Sequence, residues 1–259
     1  MSVLTMPKPT GWRDIRQTFS WACFGMLGLF SWFIYLGIAA GVRGDYLSAF
    51  AILGFLSGLT APIAGAGLIV FGRMSTRVAH DEKGTTFLPD RCLNVFCLSG
   101  FVLLIPACIV LTIFIPRGGI AIPMSRGWQV FSPYLFGMIA VIAACGLISA
   151  WNRGGVGHFT ITPSYIENAD ILSTKSVAWE DVVAVRDVAD TAKAQNAIVL
   201  SLRNGSEQVI QGAGAYVPHG AALYWMVQHY FRHPEDRPEL TDGRAIDRLR
   251  GGLFDVDQQ

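Results

Sequence analysis

Few residue sets in this 259-residue chain have the types and spacing for chemistry. His229 and His233 stand four apart, which puts two imidazoles on one helix face where they could share a metal ion. Tyr230 follows His229, however, so the HExxH pattern is absent, and no cysteine lies nearby. A helix C-terminus favours histidine through its dipole alone, and that structural role is the expected one. His80-Asp81-Glu82 reads either as a ligand cluster of a lipid-directed enzyme or as a solvated charge run in a connection. Cys92 and Cys97 form a C-x4-C pair with no matching second pair. Gly212-x-Gly214 is too short for a phosphate-binding fingerprint. There is no GxSxG, no P-loop, and no Ser, His and Asp set that spacing would justify. The expectation is a non-enzyme with no catalytic residue, no cofactor, no metal and no nucleic-acid partner.

The elements around these residues say more. Hydrophobic residues make up 52% of the chain, charged residues 15%, and the mean hydropathy is +0.41. Soluble domains carry roughly 25% charge. Residues 1–156 hold eleven Lys and Arg against five Asp and Glu, whereas residues 157–242 hold six against eleven. Such asymmetry implies two environments. The joint is Asn152-Arg153-Gly154-Gly155-Val156-Gly157, which follows the last of four apolar runs.

Those runs predict transmembrane spans at about 19–42, 46–71, 93–115 and 131–151, after an N-terminal segment at 1–18. Each is long enough for a hydrocarbon core of about 30 Å. The first run exceeds the 7–15 or so apolar residues of a cleaved signal peptide, so it reads as an uncleaved span. Pro62 and Pro106 fall in mid-span, where neighbouring helices can satisfy the freed backbone groups and kinks are expected. Residues 73–91 read as the largest polar loop of this half. All five cysteines, Cys23, Cys92, Cys97, Cys108 and Cys145, lie in or beside apolar runs, as small packing residues would.

Lys and Arg counts set the expected orientation. Eight fall on the N-terminus, the 73–91 loop and Arg153, against three in the two other loops. Both termini are therefore expected to be cytoplasmic, in a multi-pass protein of the cell membrane. Gly37-x3-Gly41 and Gly54-x3-Gly58 match the spacing that lets helix backbones approach closely, either in contact with another chain or inside the four-helix bundle. The spans hold no Asp, Glu, Lys, Arg or His, which argues against an ion-coupled carrier.

After the joint the hydrophobic period changes to two. Alternation predicts strands at 158–162, 165–168, 175–179, 182–188, 197–202 and 208–210, with Asn204-Gly205 as a hairpin turn. Residues 220–232 predict a helix with Leu223, Met226, Val227, Tyr230 and Phe231 on one face, ended by His233-Pro234. The tail 233–259 reads as polar and mobile, although Ile246, Leu249, Leu253 and Phe254 among three arginines would also suit an amphipathic segment. The fold class is thus a membrane α-helical bundle plus a small β-rich domain at 157–232, capped by a C-terminal helix.

The segments HFTITPSYIENAD, VAWEDVVAVRD and AIVLSLRNGSEQVIQ, followed by the terminal helix, resemble a bacterial PH-like domain over about residues 157–232. Trp179-Glu180-Asp181-Val182 is the most specific piece. With HYFRHPEDRPEL at 229–240, it is similar to membrane-anchored PH-like proteins of actinobacteria. The layout also looks like the lipid-uptake coordinator proteins that accompany Mce lipid importers. The resemblance implies a non-catalytic accessory or scaffold subunit, bound to the lipid bilayer and to other membrane-protein subunits. The mid-span kinks expected at Pro62 and Pro106 carry the alternative of a stand-alone transporter or lipid-handling protein. Acidic residues outnumber basic ones in this domain, so protein contact is expected over anionic headgroups. Gly37, Gly41, Gly54, Gly58, Trp179, Glu180 and Asp181 are the candidate contact residues, although Trp179 reads more readily as core.

Overall fold

The structure is a computed structural model and describes residues 6–120, 122, 125–170, 173–189, 196–254 and 256. Four long helices carry the apolar runs: α1 (Arg16–Val42), α2 (Tyr46–Val70), α3 (Arg91–Phe114) and α4 (Arg126–Arg153). All four are long and apolar enough to cross a membrane, and the protein is a multi-pass membrane protein on that ground. α1, α3 and α4 begin two to five residues before their expected spans, in polar sequence, whereas α2 keeps its expected limits to within one residue. At the end of α4, Gly154 takes a left-handed conformation and its N–H closes on the carbonyl of Trp151.

The helical unit, Arg16–Gly67 with Cys92–Gly154, buries small residues and exposes large ones. Trp21, Phe24, Val130 and Trp151 are exposed, whereas Gly37, Ala51, Gly58, Gly100, Ala107 and Ala143 are buried. Hydrocarbon rewards no burial of apolar side chains, so helices associate through close backbone approach. A Cβ on Gly37 would lie 2.7 Å from the Leu53 side chain, and one on Gly41 3.6 Å from Ala49 Cβ. On Gly54 it would lie 3.3 Å from Ala107 Cβ, and on Gly58 2.9 Å from the Leu104 backbone. The first pair thus seats α1 on α2 and the second seats α2 on α3. These close approaches are made within the chain, the second of the two uses that the spacing left open. Pro62 lies inside α2 and fills the notch left by Gly100 of α3.

The other compact unit is assembled from three stretches: Met1–Ile15, Leu68–Arg91 and Gly155–Gln259. Here the structure departs most from the sequence expectation. The 73–91 stretch is a β-hairpin, β1 (Arg77–Asp81) and β2 (Gly84–Leu88), and not a loop. Asp81 Oδ1 accepts the N–H groups of Lys83 and Gly84 at 2.9 and 3.0 Å, which builds the two-residue turn. Strand β2 then pairs antiparallel with β3 (His158–Ile161), with Phe87 opposite Phe159. The sheet continues through β4 (Tyr165–Ala169) and β5 (Thr174–Ala178). A second, three-stranded sheet holds β6 (Val182–Arg186), β7 (Ile198–Leu202) and β8 (Glu207–Ile210) in that order. The strands lie within two residues of their expected limits, and Gly205 turns the β7–β8 hairpin at φ +81°.

Helix α5 (Ala221–Arg232) ends before His233-Pro234, as expected. It is not a one-sided cap: ten consecutive residues, Ala221–Tyr230, are buried. The sheet core covers Leu223, Met226 and Val227. The N-terminal arm meets another side, with Trp12 edge-on to Tyr224 and Trp225 Nε1 donating to the Pro7 carbonyl at 2.8 Å. The tail covers a third side. It forms a 3-10 turn at Pro234–Asp236, α6 (Glu239–Asp242) and α7 (Arg244–Gly251), and buries Leu240, Ala245, Leu249 and Phe254. The expected mobile tail and the 157–232 boundary are both corrected by this packing.

Gly58→Val should overpack the α2–α3 contact by about 1–3 kcal/mol and lower the melting temperature in detergent. Gly28→Val, where no atom lies within 4 Å of the added Cβ, should leave it unchanged. Equal melting of the two variants would refute this packing role.

Candidate functional site

The structure separates the residues expected to form a docking site. Trp179 begins a 3-10 turn, Trp179–Asp181, that links β5 to β6. Its ring is 3% exposed, its Nε1 donates to the Thr162 carbonyl at 2.8 Å, and Arg237 lies 4.6 Å over its face. Trp179 is therefore a core residue, and its role as an exposed contact is corrected. Glu180 and Asp181 are exposed. Their backbone carbonyls hold Arg203, which donates its guanidinium to Glu180 O at 3.0 Å and its N–H to Asp181 O at 2.8 Å. Val183, two residues on, is 59% exposed where the β6–β7 register slips between Val182 and Ala184. A bulge of this kind re-aims a side chain and blunts a sheet edge. Two carboxylates beside an exposed valine thus form a small acidic and apolar patch.

The densest set of titratable groups lies where the tail meets α5. Arg248 forks onto Glu239, Nε to Oε2 at 2.9 Å and NH2 to Oε1 at 2.7 Å, and also reaches Asp236 at 3.4 Å. Tyr230 donates to Glu239 Oε2 at 3.4 Å. The Arg248 hydrogen bonds hold the Glu239 carboxyl below its ordinary range, and burial raises the Tyr230 phenol above its own. A planar fork on a carboxylate is the strong geometry for such a pair. Sequence reading marked the arginines of 244–250 only as one face of an amphipathic segment. The signal that could have found this cluster was the acid-rich run 235–242 placed just before them.

His229 and His233 stack at 4.8 Å between ring centroids, each paired with a different carboxylate. His229 Nε2 meets Asp236 Oδ2 at 3.0 Å, and His233 Nδ1 meets Glu235 Oε1 at 3.2 Å. Among the described residues no group of three or more His, Cys, Asp and Glu is placed to hold a metal ion. His80 and Asp81 end β1, with Glu82 in the turn, and all three are exposed. Asp81 spends one oxygen on that turn, which gives this trio a structural use.

His229 Nδ1 is buried with no hydrogen-bond partner, while Nε2 serves Asp236. Burial, seconded by the Arg248 charge, lowers its pKa against the opposing pull of Asp236. Elsewhere in the unit, burial and the nearby Asp187 charge push the Tyr224 phenol up to about 12.

Comparison with family models, with curated proteins and with solved structures finds no match to this chain.

Because native His229 resists protonation, the unfolded chain binds a proton near pH 6.5 that the native state refuses. The stability this residue contributes should be complete above about pH 6.5 and lost as pH falls toward its lower native pKa. Melting temperatures from pH 8 to 5 should therefore fall more steeply for the native chain than for His229→Gln; parallel curves would refute the assignment.

Proposed function

We propose that this chain is a non-catalytic accessory or scaffold subunit of a larger membrane complex. The carrying observation is the three-stretch assembly of the sheet-rich unit. The N-terminal arm, the α2–α3 connection and the C-terminal region fold as one body, joined by β2–β3 pairing and by the Trp225–Pro7 bond. Each pair of crossing helices therefore starts and finishes in that body, a layout suited to a platform that holds helices in place. Four crossings would bring the three stretches to one side of the bilayer, and the Lys and Arg bias supports a cytoplasmic side. The six strands β3–β8 followed by α5 support the PH-like reading, with the β1–β2 hairpin as an addition to it. Glu180, Asp181 and Val183 are the surface offered to a basic and partly apolar protein partner. The resemblance in layout makes an Mce-type lipid importer the first complex to test.

One observation favours the alternative of a protein that handles lipid itself. An open apolar groove of about 410 Å³ lies between α3 and α4, lined by Ile105, Ile109 and Ile113 opposite Gly137, Ala140 and Ala144, with Ile109, Ile113 and Val141 exposed at its mouth. Thr112 also lines it, with its hydroxyl committed to the carbonyl of Cys108 at 2.8 Å. Ala140→Leu and Ala144→Leu, which fill this groove, should abolish lipid movement in reconstituted liposomes if that reading holds. Liposomes that are inert with the native chain would remove it.

For the subunit reading, a mild-detergent pull-down from the native membrane should recover stoichiometric membrane partners. Glu180→Lys with Asp181→Lys should lose them by at least tenfold without changing the melting temperature. A lone chain, or partners retained by the charge reversal, would overturn the proposed surface.

A further inference from the structure

Among the described residues the two sheets end in four edge strands, β1, β5, β6 and β8. Three of them are packed, bulged or short. Helix α6 packs against β1, with Gly243 beside His80. Strand β6 carries the bulge between Val182 and Ala184, and β8 is four residues long with Glu207, Gln208 and Val209 half-buried. Covers, bulges and short strands are the ordinary means by which proteins keep a sheet edge from pairing with another chain. Strand β5 has none of these. Its register with β4 runs without a shift from Thr174 to Ala178, and every residue in it except Val177 is exposed. Trp179 N–H donates to the Ser164 carbonyl at 3.0 Å, and Asp170 N–H to the Ser173 carbonyl at 2.8 Å. With that register, alternation makes Lys175 and Val177 the residues bonded to β4. Thr174, Ser176 and Ala178 therefore turn their N–H and C=O groups outward, and no described residue pairs with them. Charge marks both ends of the strand. Lys175 stands near its start and Glu180 and Asp181 just past its end, all exposed and without an ion pair among the described residues.

We propose that β5 is a strand-addition site for an extended segment of a partner protein. The segment pairs with Thr174, Ser176 and Ala178, and carries a basic residue beside Glu180 and Asp181 and an acidic one beside Lys175. This rests on the subunit reading above and adds the form that its partner takes. At such an edge the backbone bonds supply affinity and alternate side chains supply the choice of partner. Thr174, Ser176 and Ala178 share one face and are small, which leaves room over them for larger residues of the added strand. The five residues of β5 span about 17 Å, so the opposite charges at its two ends give the added segment one direction. A second copy of this chain is the poorer match. The symmetric pairing that uses all three outward residues of both copies sets Lys175 across from Val177, not across from a carboxylate.

The test compares the full chain purified alone with the assembly it forms in its native membrane, recovered in mild detergent. Residue-resolved hydrogen exchange at Thr174, Ser176 and Ala178 should slow at least tenfold in the assembly, whereas Lys175 and Val177, already bonded to β4, should change little. Ser176→Pro removes an outward N–H and no bond to β4, a position where an edge strand tolerates proline. It should keep the melting temperature and lower the recovered partner at least tenfold. A photo-crosslinker at Ala178 should mark one partner segment that contains Lys or Arg. Partners kept by Ser176→Pro but lost by Glu180→Lys with Asp181→Lys would overturn strand addition and leave the subunit reading standing. A native chain that brings no partner would overturn both. A crosslink to β5 of a second copy would overturn the proposed occupant. Should Ser176→Pro lower the melting temperature, exchange in the native assembly decides, and unchanged rates at the three outward amides would overturn the site.

Discussion

The pairing of β2 with β3 is the contact on which the rest of this molecule depends. It joins a hairpin between two membrane helices to a strand that follows the fourth, so some seventy intervening residues must leave the unit and return to it. Gly84 permits the join, since a Cβ there would press on the Ile161 carbonyl. Phe87 and Phe159 then stand opposite each other in the register and start the core, with ring centroids 6.3 Å apart. Thr85, from the same strand, donates to the Leu240 carbonyl at 2.7 Å and so ties the tail to the hairpin. One pairing thereby connects the helix bundle's middle connection, the sheet and the C-terminal helices.

Two solvents shape the two units by opposite rules. In the helical unit, apolar bulk faces outward and glycine and alanine make the contacts, because lipid gives no reward for hiding a leucine. In the sheet-rich unit, Phe87, Phe159, Ile166, Leu200 and Ile210 are driven inward by water, each worth roughly 1.5–3 kcal/mol when fully buried. The same residue type therefore carries a different meaning on either side of the joint. Glycine marks close packing at Gly58 and a turn at Gly205.

Helix α5 shows how far the sheet-rich unit relies on distant sequence. Its buried run mixes apolar residues with Gln228 and His229, an arrangement that only makes sense if every face has a neighbour. The arm supplies one through Trp12, and the tail supplies another through Leu240, Leu249 and Phe254. The polar groups that come with the tail are satisfied locally by the Arg248 fork, which lets charged residues sit against a buried helix.

The residues alone determined the four apolar helices, because hydrocarbon thickness and the absence of charge leave no other structure for such runs. They also determined the strands of 158–210, where alternation and Asn204-Gly205 are local signals, and the end of α5 at His233-Pro234. Tertiary structure decided what those signals could not carry. The hairpin at 77–88 is short and charged, with Val78, Phe87 and Leu88 too few to show a period, so its role came from β3 and α6. The arm at 6–15 has little period of its own and the tail at 233–254 shows only a short amphipathic stretch, and both find their place against distant partners, α5, the 77–88 hairpin and the ends of β6 and β7. Glycine spacing offered two uses for Gly37, Gly41, Gly54 and Gly58, and the positions of Leu53, Ala49, Ala107 and Leu104 chose between them. Trp179 was likewise open to either reading until Thr162 and Arg237 enclosed it. Spacing within a chain reports local geometry, whereas the identity of a neighbour seventy residues away is set only when the chain closes on itself.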